Sequence, residues 1–302
     1  MSELLHTAIP GLPAPRRGKV REVYDLGDEL LIIATDRISA FDVIMANGIP
    51  GKGVILNQMS SFWFEKYADV CPNHIISVDD VEVSRRLPNP HPEFAGRSVI
   101  AKKAKPLPIE CVARGYITGS LYKEYLAHGG GIHDLGLPTG LRNADKLRDP
   151  IFTPATKAEE GHDENLSFKQ AVDIVGIDTA TQVRDWTLEI FSLASRYAES
   201  VGLILADTKF EFGLTDEGII WIDEALTPDS SRFWDVSTYA PGQSPPSYDK
   251  QFVRDYLETL DWDKRPPGPT LPENIISRTR DKYLEAYSRL TGKTLNLDPV
   301  LR

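Results

Sequence analysis

The first third of the chain alternates apolar and polar residues in the manner of β-strands. Two such runs are separated only by Gly27 and Asp28, and a two-residue connection of this kind is typical of a hairpin. A later run spaces its apolar residues at helical intervals after a glycine-rich stretch, which predicts a helix. The elements predicted for this part are strands over 20–26, 29–35, 74–78 and 98–103 and a helix over 57–67.

The segment KKAKPLP at 102–108 separates this strand-rich part from a more helical one. Because proline has no backbone N–H to donate and does not fit a helix interior, we interpret the segment as a linker between two lobes. The elements predicted beyond it are helices over 119–128, 167–175, 179–200, 250–259 and 272–291 and a hairpin of strands over 203–212 and 218–223. The sequence therefore predicts an α+β fold of two lobes, residues 1–105 and 106–302, with a cleft between them.

The composition of the 302 residues narrows the classes of function. The chain carries 34 Lys and Arg residues against 44 Asp and Glu, a net charge of −10. This charge argues against the wrapping of nucleic acid, although it leaves room for a locally basic phosphate pocket. The sequence has neither an apolar run long enough to span a membrane nor an N-terminal signal pattern, and its two cysteines exclude a disulfide framework. We expect a cytoplasmic enzyme without nucleic-acid or membrane partners.

The segment LADTKFEFG at 205–213 gathers charged residues on one side of a strand. Period-2 alternation places Asp207, Lys209 and Glu211 on one face and threonine and phenylalanine residues on the other. Asp223 ends the partner strand of the same hairpin, where it would lie close to Glu211. Two converging carboxylates suit Mg²⁺, which prefers one or two carboxylates together with water and substrate phosphates. The same pattern is also typical of a solvated edge strand with an ordinary Lys–Glu pair.

Three basic segments are candidates for holding phosphate groups. Arg232 follows the turn PDSS at 228–231, and Arg114 precedes Ser120, which would open a helix. A helix N-terminus beside an arginine favours anions, and the arginine fork binds phosphate with two bonds. Residues 16–21 (RRGKVR) supply four cations around one glycine, although the chain has no Walker A pattern. A capped turn with a surface arginine, and Ser120 as an ordinary N-cap residue, are the alternative interpretations.

Taken together, six segments resemble one enzyme family. Their order and spacing are similar to those of the phosphoribosylaminoimidazole-succinocarboxamide synthases, or SAICAR synthetases, from about residue 15 to residue 260. The resemblance is nearest to the long form typified by fungal enzymes, which has an insert region at 156–165. The matching segments are GKVREVYDL at 18–26, DRISAFD at 36–42, GKGVILNQMSSFWF at 51–64, LPIECVARGYITGS at 107–120, LADTKFEFG at 205–213 and DEALTPDSSRFW at 223–234.

This resemblance implies an activity, a fold and a set of ligands. The family ligates L-aspartate to the carboxylate of 5-amino-1-(5-phosphoribosyl)imidazole-4-carboxylate, in purine biosynthesis, with the use of ATP and Mg²⁺. The implied fold has an N-terminal antiparallel β lobe and a larger α+β lobe, is related to protein kinases and ATP-grasp enzymes, and holds ATP between the lobes. Members of the long form are expected to be monomeric.

The resemblance also implies roles for the residues at matching positions. Ser39 and Asp42, in the loop DRISAFD, are candidates for the L-aspartate subsite because they follow the end of a strand. The other implied roles are ATP contact by Gly18, Lys19, Val20, Arg21, Lys105, Leu107 and Glu211, Mg²⁺ coordination by Glu211 and Asp223, contact with the ribonucleotide phosphate by Arg114, Ser120 and Arg232, and a place at the reacting centre for Asp207 and Lys209.

Two other classes of protein fit an ATP cleft of this kind. A kinase-like phosphotransferase would use the cleft on another acceptor, but the HRD and DFG motifs of protein kinases are missing. A non-catalytic nucleotide-binding module would need none of Lys19, Lys209, Glu211 and Asp223, all of which are present. The ligase remains the main hypothesis, and its chemistry requires cations and a metal rather than an activated serine or cysteine.

Overall fold

The computed structural model describes residues 3–130, 132, 135–157 and 164–297. Its first sheet is antiparallel, has five strands in the order β1-β2-β3-β7-β6, and is built from the N-terminal third of the chain. The predicted hairpin is confirmed, with its strands joined at 26–28. The strands of this sheet are β1 (Arg16–Arg17), β2 (Arg21–Asp25), β3 (Glu29–Ala34), β6 (Ile75–Ser77) and β7 (Ser98–Lys102), and the separate two-stranded hairpin is β4 (Ser39–Ala40) and β5 (Val43–Ile44).

The second sheet has seven strands and is organised around a single 13-residue strand, β12. β12 pairs with β9 and β14 along its first half and with β13 and β8 along its second half. It therefore connects every part of this sheet that carries candidate site residues. The strands are β8 (Lys105–Pro106), β9 (Ile109–Tyr116), β10 (Lys146–Phe152), β11 (Ala155–Thr156), β12 (Leu203–Thr215), β13 (Gly218–Ile222) and β14 (Ser231–Asp235).

Seven α-helices complete the part of the chain that the structure describes. The long helix α5 packs on β12, β9 and β10, and α1 packs against α7, so that both sides of the second sheet contribute to one large apolar core. Within the described ranges, no helix is long and apolar enough to cross a bilayer. The helices are α1 (Lys52–Lys66), α2 (Asp80–Arg85), α3 (Gly119–Ala127), α4 (Phe168–Val175), α5 (Ile177–Ser200), α6 (Gln251–Glu258) and α7 (Glu273–Thr291).

The interpretation of residues 102–108 as a linker without strand structure is wrong, because the segment contains the short strand β8. β8 pairs with β12 at Gly213 and Leu214, and the Leu107 N–H donates to the Phe212 carbonyl at 2.8 Å. A short edge strand accepts proline, since only one side of its backbone needs a partner. This segment therefore extends the second sheet.

Helix α1 begins five residues earlier than its apolar spacing predicts, at Lys52. The glycines before the apolar run serve close packing: a Cβ on Gly53 would lie 2.2 Å from the Ala34 carbonyl oxygen. Gly51, with φ 83°, occupies the N-cap position. The glycine-rich stretch at 48–53 is thus partly helical, and it holds the start of α1 against strand β3.

Candidate active site

A cleft of about 770 Å³ lies where the first sheet faces the second. Strand β2 and the loop before it form one wall, β12 and β13 form another, and the β4–β5 hairpin and the start of α6 form the far end. Nine lysines and arginines and six carboxylates line it, an excess of positive charge in a chain whose net charge is −10. The candidate residues that line the cleft are Gly18, Lys19, Val20, Arg21, Ser39, Asp42, Lys209, Glu211 and Asp223.

Glu211 and Asp223 lie side by side in this cleft, as the hairpin pattern predicts. The register partner of Glu211 is Ile222, and Asp223 follows it in a left-handed conformation, with φ 74°. Burial and then repulsion from Asp223 raise the pKa of Glu211. Burial acts in the same direction on Asp223, but the attraction of Arg21 and Lys209 is stronger and lowers its pKa. The pair therefore favours a cation.

Two basic side chains already neutralise this carboxylate pair. The Arg21 Nη2 atom lies 2.6 Å from the Asp223 Oδ2 atom, and Lys157 bonds to Glu211. Burial opposes the charge of Arg21, but Asp223 and Glu224 together raise its pKa. Across the described parts of the chain, no group of three or more Asp, Glu, His or Cys side chains gathers into an all-protein metal site. The protein offers two carboxylates here as metal ligands. Mg²⁺ commonly uses one or two protein carboxylates when substrate phosphates and water supply its other ligands.

Lys209 shares its strand face with Glu211 and points into the cleft. Its ammonium bonds directly to Glu110 on the neighbouring strand β9. Burial works against the positive charge, but the Glu110 carboxylate outweighs it and raises the pKa of Lys209. Lys209 is therefore held as a fixed positive charge beside the carboxylate pair.

Asp207, Arg114 and Arg232 form a second charged group farther along β12. Asp207 is the register partner of both arginines, on β9 and β14 respectively. The Arg114 Nη1 atom lies 3.1 Å from the Asp207 Oδ2 atom, and Arg232 bonds to the same oxygen. The Arg114 Nη2 atom donates to the Ser120 hydroxyl at 3.3 Å. The predicted phosphate contacts thus converge on one place, and Asp207 lies among them.

Gly119 completes this arginine group. Its φ of 60° is left-handed, and a Cβ added there would lie 2.6 Å from the Arg232 Nη2 atom. The start of helix α3 therefore packs directly on the flat face of the Arg232 guanidinium. Asp207 is two residues from Lys209, so the arginine group lies roughly 7 Å along β12 from the Lys209 position.

Some candidate residues lie outside the cleft lining. Lys105 lies in β8 and Leu107 follows it, and of residues 105–107 only Pro106 lines the cleft. Arg232 follows the predicted turn as the second residue of β14. The other candidates outside this lining are Asp207, Arg114, Ser120 and Arg232. The ATP contact that the resemblance implies for Lys105 and Leu107 therefore stays a prediction.

Sequence reasoning missed several charged residues of the cleft. Glu110 lies on the same face of β9 as Val112 and Arg114, but its contact with Lys209, 99 positions away, gives no local signal. Lys157 gives no local signal, because its partner Glu211 is 54 positions away. Lys250 and Arg254, at the start of α6, also line the cleft and were assigned only to a helix.

Comparison with known proteins identifies the family. The model of the SAICAR synthetase family matches residues 15–269. The chain belongs to the SAICAR synthetase family. The phosphoribosylaminoimidazole-succinocarboxamide synthase of Geobacter sulfurreducens is 55% identical over 295 residues, which cover 97% of this chain and 99% of that protein. The predicted family is therefore confirmed, and with it the enzyme class: SAICAR synthetases ligate L-aspartate to the imidazole carboxylate ribonucleotide in purine biosynthesis.

Solved structures of this family have the same fold. A SAICAR synthase from Saccharomyces cerevisiae, complexed with SAICAR, superposes with a TM-score of 0.85 at 41% identity and covers 97% of this chain and 99% of its own. A SAICAR synthetase described as in complex with ADP superposes with a TM-score of 0.69 at 26% identity, over 93% of this chain and 99% of its own. The predicted α+β fold of the family is confirmed.

The expected likeness to a fungal long form is wrong. Bacterial relatives from Geobacter and Geotalea reach 55% identity over 97% of the chain, whereas the yeast structure is 41% identical. Bacterial members of the family therefore reach nearly the same length as this chain. Most of the insert region at 156–165, including residues 158–163, lies outside the described residues.

Proposed function

We propose that this chain uses ATP to join L-aspartate to 5-amino-1-(5-phosphoribosyl)imidazole-4-carboxylate, with ADP and phosphate as the other products. The observation that carries the proposal is the arrangement along β12. A carboxylate pair, a fixed lysine and an arginine pair follow one another along β12 and the strands that pair with it, in a chain of the SAICAR synthetase family. This order matches a triphosphate, a reacting carboxylate and a ribonucleotide phosphate laid end to end.

ATP is proposed to lie between the first sheet and β12. Gly18, Lys19, Val20 and Arg21 would cover its phosphates from the loop before β2, and all four line the cleft. The backbone of Lys105 and Leu107 would meet the adenine. A family structure described as in complex with ADP supports ATP as a substrate. Residues 1–105 would then act as the ATP-covering lobe and residues 106–302 as the lobe that holds the metal and the other substrates.

Glu211 and Asp223 would hold Mg²⁺. The fit rests on their chemistry: both are hard oxygen donors, and burial together with repulsion from Asp223 raises the pKa of Glu211, so that a cation between them is favoured. When bound there, Mg²⁺ neutralises the charge of the ATP phosphates. Arg21 and Lys157, which bond to this pair, would then be available to phosphate oxygens.

Arg114, Ser120 and Arg232 would hold the phosphate of the imidazole ribonucleotide. They share one place, and Arg232 offers a planar fork whose position is fixed by Gly119 and Asp207. The imidazole carboxylate, at the other end of this substrate, would then lie near Lys209. Both ends of the nucleotide are held by residues of the same strand and its neighbours.

The substitution Arg232→Lys is expected to weaken binding of the imidazole ribonucleotide selectively. Arg232→Lys keeps the charge and loses the fork, so the KM for the imidazole ribonucleotide should rise about tenfold, the loss of roughly one charge-assisted hydrogen bond. Steady-state kinetics with each substrate varied in turn measures the effect. The KM for ATP should stay within twofold, and an equal rise for ATP would place Arg232 on the wrong ligand.

The reaction itself needs a carboxylate to become an acyl donor. Transfer of the γ-phosphoryl group to the imidazole carboxylate would give an acyl phosphate and ADP. The amine of L-aspartate then attacks the acyl carbon, loses a proton and expels inorganic phosphate. Lys209 would stabilise the negative charge that develops between the γ-phosphate and the carboxylate. The enzyme is proposed to act as a monomer in the cytoplasm, where ATP and phosphorylated nucleotides are found.

One incubation separates this ligase from a phosphotransferase and from a non-catalytic nucleotide-binding module. The purified protein with ATP, Mg²⁺, the imidazole carboxylate nucleotide and L-aspartate should release phosphate at a rate that requires both co-substrates. Phosphate release at a rate that does not depend on L-aspartate would favour a phosphotransferase or hydrolase. An absence of release with all substrates present would leave only nucleotide binding.

A further inference from the structure

Arg37 is a buried arginine to which the scheme above assigns no role. Its side chain is 5% exposed, and it is not one of the residues that line the cleft. Three of its contacts are backbone carbonyls of the loop before β2, which is proposed to cover the ATP phosphates. The Nε atom donates to the Lys19 carbonyl at 3.1 Å, and the Nη2 atom donates to the Gly18 and Arg21 carbonyls at 3.0 and 3.3 Å. One side chain therefore fastens most of this loop.

Glu22 and the N-terminal segment accept the remaining hydrogen bonds of Arg37. Its Nη1 atom donates to the Glu22 Oε1 atom at 2.9 Å and to the Leu5 carbonyl, so that all five N–H groups of the guanidinium have acceptors. The other Glu22 oxygen accepts the Thr7 N–H at 2.8 Å and the Thr7 hydroxyl. Burial acts to raise the pKa of Glu22, but the bonds from Thr7 and Arg37 outweigh it and lower that pKa. A charged carboxylate therefore fixes the position of Arg37.

The carbonyl of Val20, the other residue of the loop at 18–21, is held from the same side. It accepts the Thr35 N–H at 2.9 Å and the Thr35 hydroxyl at 2.7 Å. Thr35, like Arg37, is not among the residues that line the cleft. The carbonyl groups at 18–21 therefore bond to the protein behind the loop, whereas all of these residues contribute to the cleft lining.

This arrangement suits a polyphosphate ligand, because a carbonyl oxygen carries a partial negative charge that repels phosphate, whereas N–H groups attract it. We infer that Arg37 is a positioning residue for ATP, which holds the carbonyl groups of residues 18–21 away from the triphosphate. The loop then meets the phosphates without opposing carbonyl dipoles. The inference rests on the proposed function, in which this loop covers the ATP phosphates.

The substitution Arg37→Lys tests the inference with the positive charge retained. A lysine ammonium can still face Glu22, but its three donors and single nitrogen cannot reproduce the fork that reaches several loop carbonyls at once. The Kd for ADP, measured by isothermal titration calorimetry, and the KM for ATP should both rise about tenfold. The kcat and the KM values for L-aspartate and the imidazole nucleotide should stay within about twofold, because Arg37 contacts none of the reacting atoms.

A double variant keeps the test valid if loss of the buried charge destabilises the fold. Arg37→Met alone leaves the Glu22 carboxylate buried without its partner charge, whereas Arg37→Met/Glu22→Gln removes both charges and should melt closer to the wild-type protein. Its KM for ATP is compared with that of Glu22→Gln alone, because Arg17, 3.3 Å from Glu22, loses the same carboxylate in both variants. The double variant should have a KM for ATP about tenfold above that of the single variant.

Arg86→Lys is the matched control. Arg86 also bonds to a carboxylate of the first sheet, with its Nε atom 2.7 Å from the Glu29 Oε2 atom on β3, but it does not line the cleft. The same conservative change should therefore leave the Kd for ADP and all three KM values at their wild-type levels.

Two results would overturn the inference, with all measurements made below the melting temperature of every variant. The first is wild-type affinity for ADP in both Arg37→Lys and the double variant. The second is an equal rise in all three KM values, which would mean a general disturbance of the first sheet. Failure of the wild-type protein to bind ADP at all would instead reject the proposed ATP site.

Discussion

Lys209→Met is expected to lower kcat by roughly 10²–10³, the usual effect of removing one preorganised donor from a developing negative charge. Methionine preserves the packing of the lysine stem and deletes the ammonium. Because the contact is proposed to strengthen in the transition state, kcat and kcat/KM should fall by similar factors with little change in KM. Initial rates with each substrate varied measure this split. A variant that keeps more than about a tenth of the wild-type kcat would reject the role.

The bond between Lys209 and Glu110 provides a control for a merely structural role. Without Lys209, the Glu110 carboxylate is left buried beside the cleft, with its side chain only 8% exposed. The double variant Lys209→Met/Glu110→Gln also removes this buried negative charge. If Lys209 only neutralises Glu110, the double variant should recover both thermal stability and kcat. For a transition-state contact, stability should recover while kcat stays low.

Asp223→Asn is expected to raise the Mg²⁺ concentration needed for half-maximal activity at least tenfold. Loss of residues that merely support metal ligands already costs 10–100-fold in affinity, and Asp223 is proposed to be a ligand itself. The fold should persist, because asparagine tolerates the left-handed conformation that Asp223 adopts, with φ 74°. Phosphate release titrated with Mg²⁺ measures the shift, and circular dichroism checks the fold.

Asp216→Asn is the matched control for this change. Asp216 is an exposed acid in the turn between β12 and β13, the same hairpin that carries Glu211 and Asp223. Its substitution removes one negative charge from the neighbourhood without touching the cleft, so the Mg²⁺ dependence should remain that of the wild-type enzyme. The metal assignment of Asp223 is wrong if the two variants show the same Mg²⁺ dependence.

Local patterns were sufficient for the parts of this fold whose partners are close in sequence. The 203–215 strand and its hairpin partner could be predicted because alternation and a turn signal lie within 20 residues. The same alternation correctly put Asp207, Lys209 and Glu211 on one polar face, with Thr208, Phe210 and Phe212 buried on the other. Helices with a clear apolar stripe, such as α5, were also predicted within two residues of their observed start.

Contacts between segments that are distant in the chain could not be predicted from a single sequence. The partners Arg21 and Asp223 are 202 positions apart, and Lys209 and Glu110 are 99 apart. Strands β9, β10 and β14 were missed, because pairing with strands distant in sequence rather than local propensity stabilises them: β9 and β14 pair with β12, and β10 pairs with β9. The same pairing explains why Asp207 bonds to two arginines: its register on β12 aligns it with Arg114 on one side and Arg232 on the other.

The fate of one oxygen atom tests the central claim, that ATP activates the imidazole carboxylate in this cleft. The nucleotide is labelled with ¹⁸O in its carboxylate and incubated with the enzyme, ATP, Mg²⁺ and L-aspartate, and the phosphate released is examined by mass spectrometry. Phosphoryl transfer to that carboxylate transfers one of its oxygens to phosphate, so each turnover should give one ¹⁸O atom in the inorganic phosphate. Unlabelled phosphate would mean that ATP is hydrolysed by water and would contradict the account.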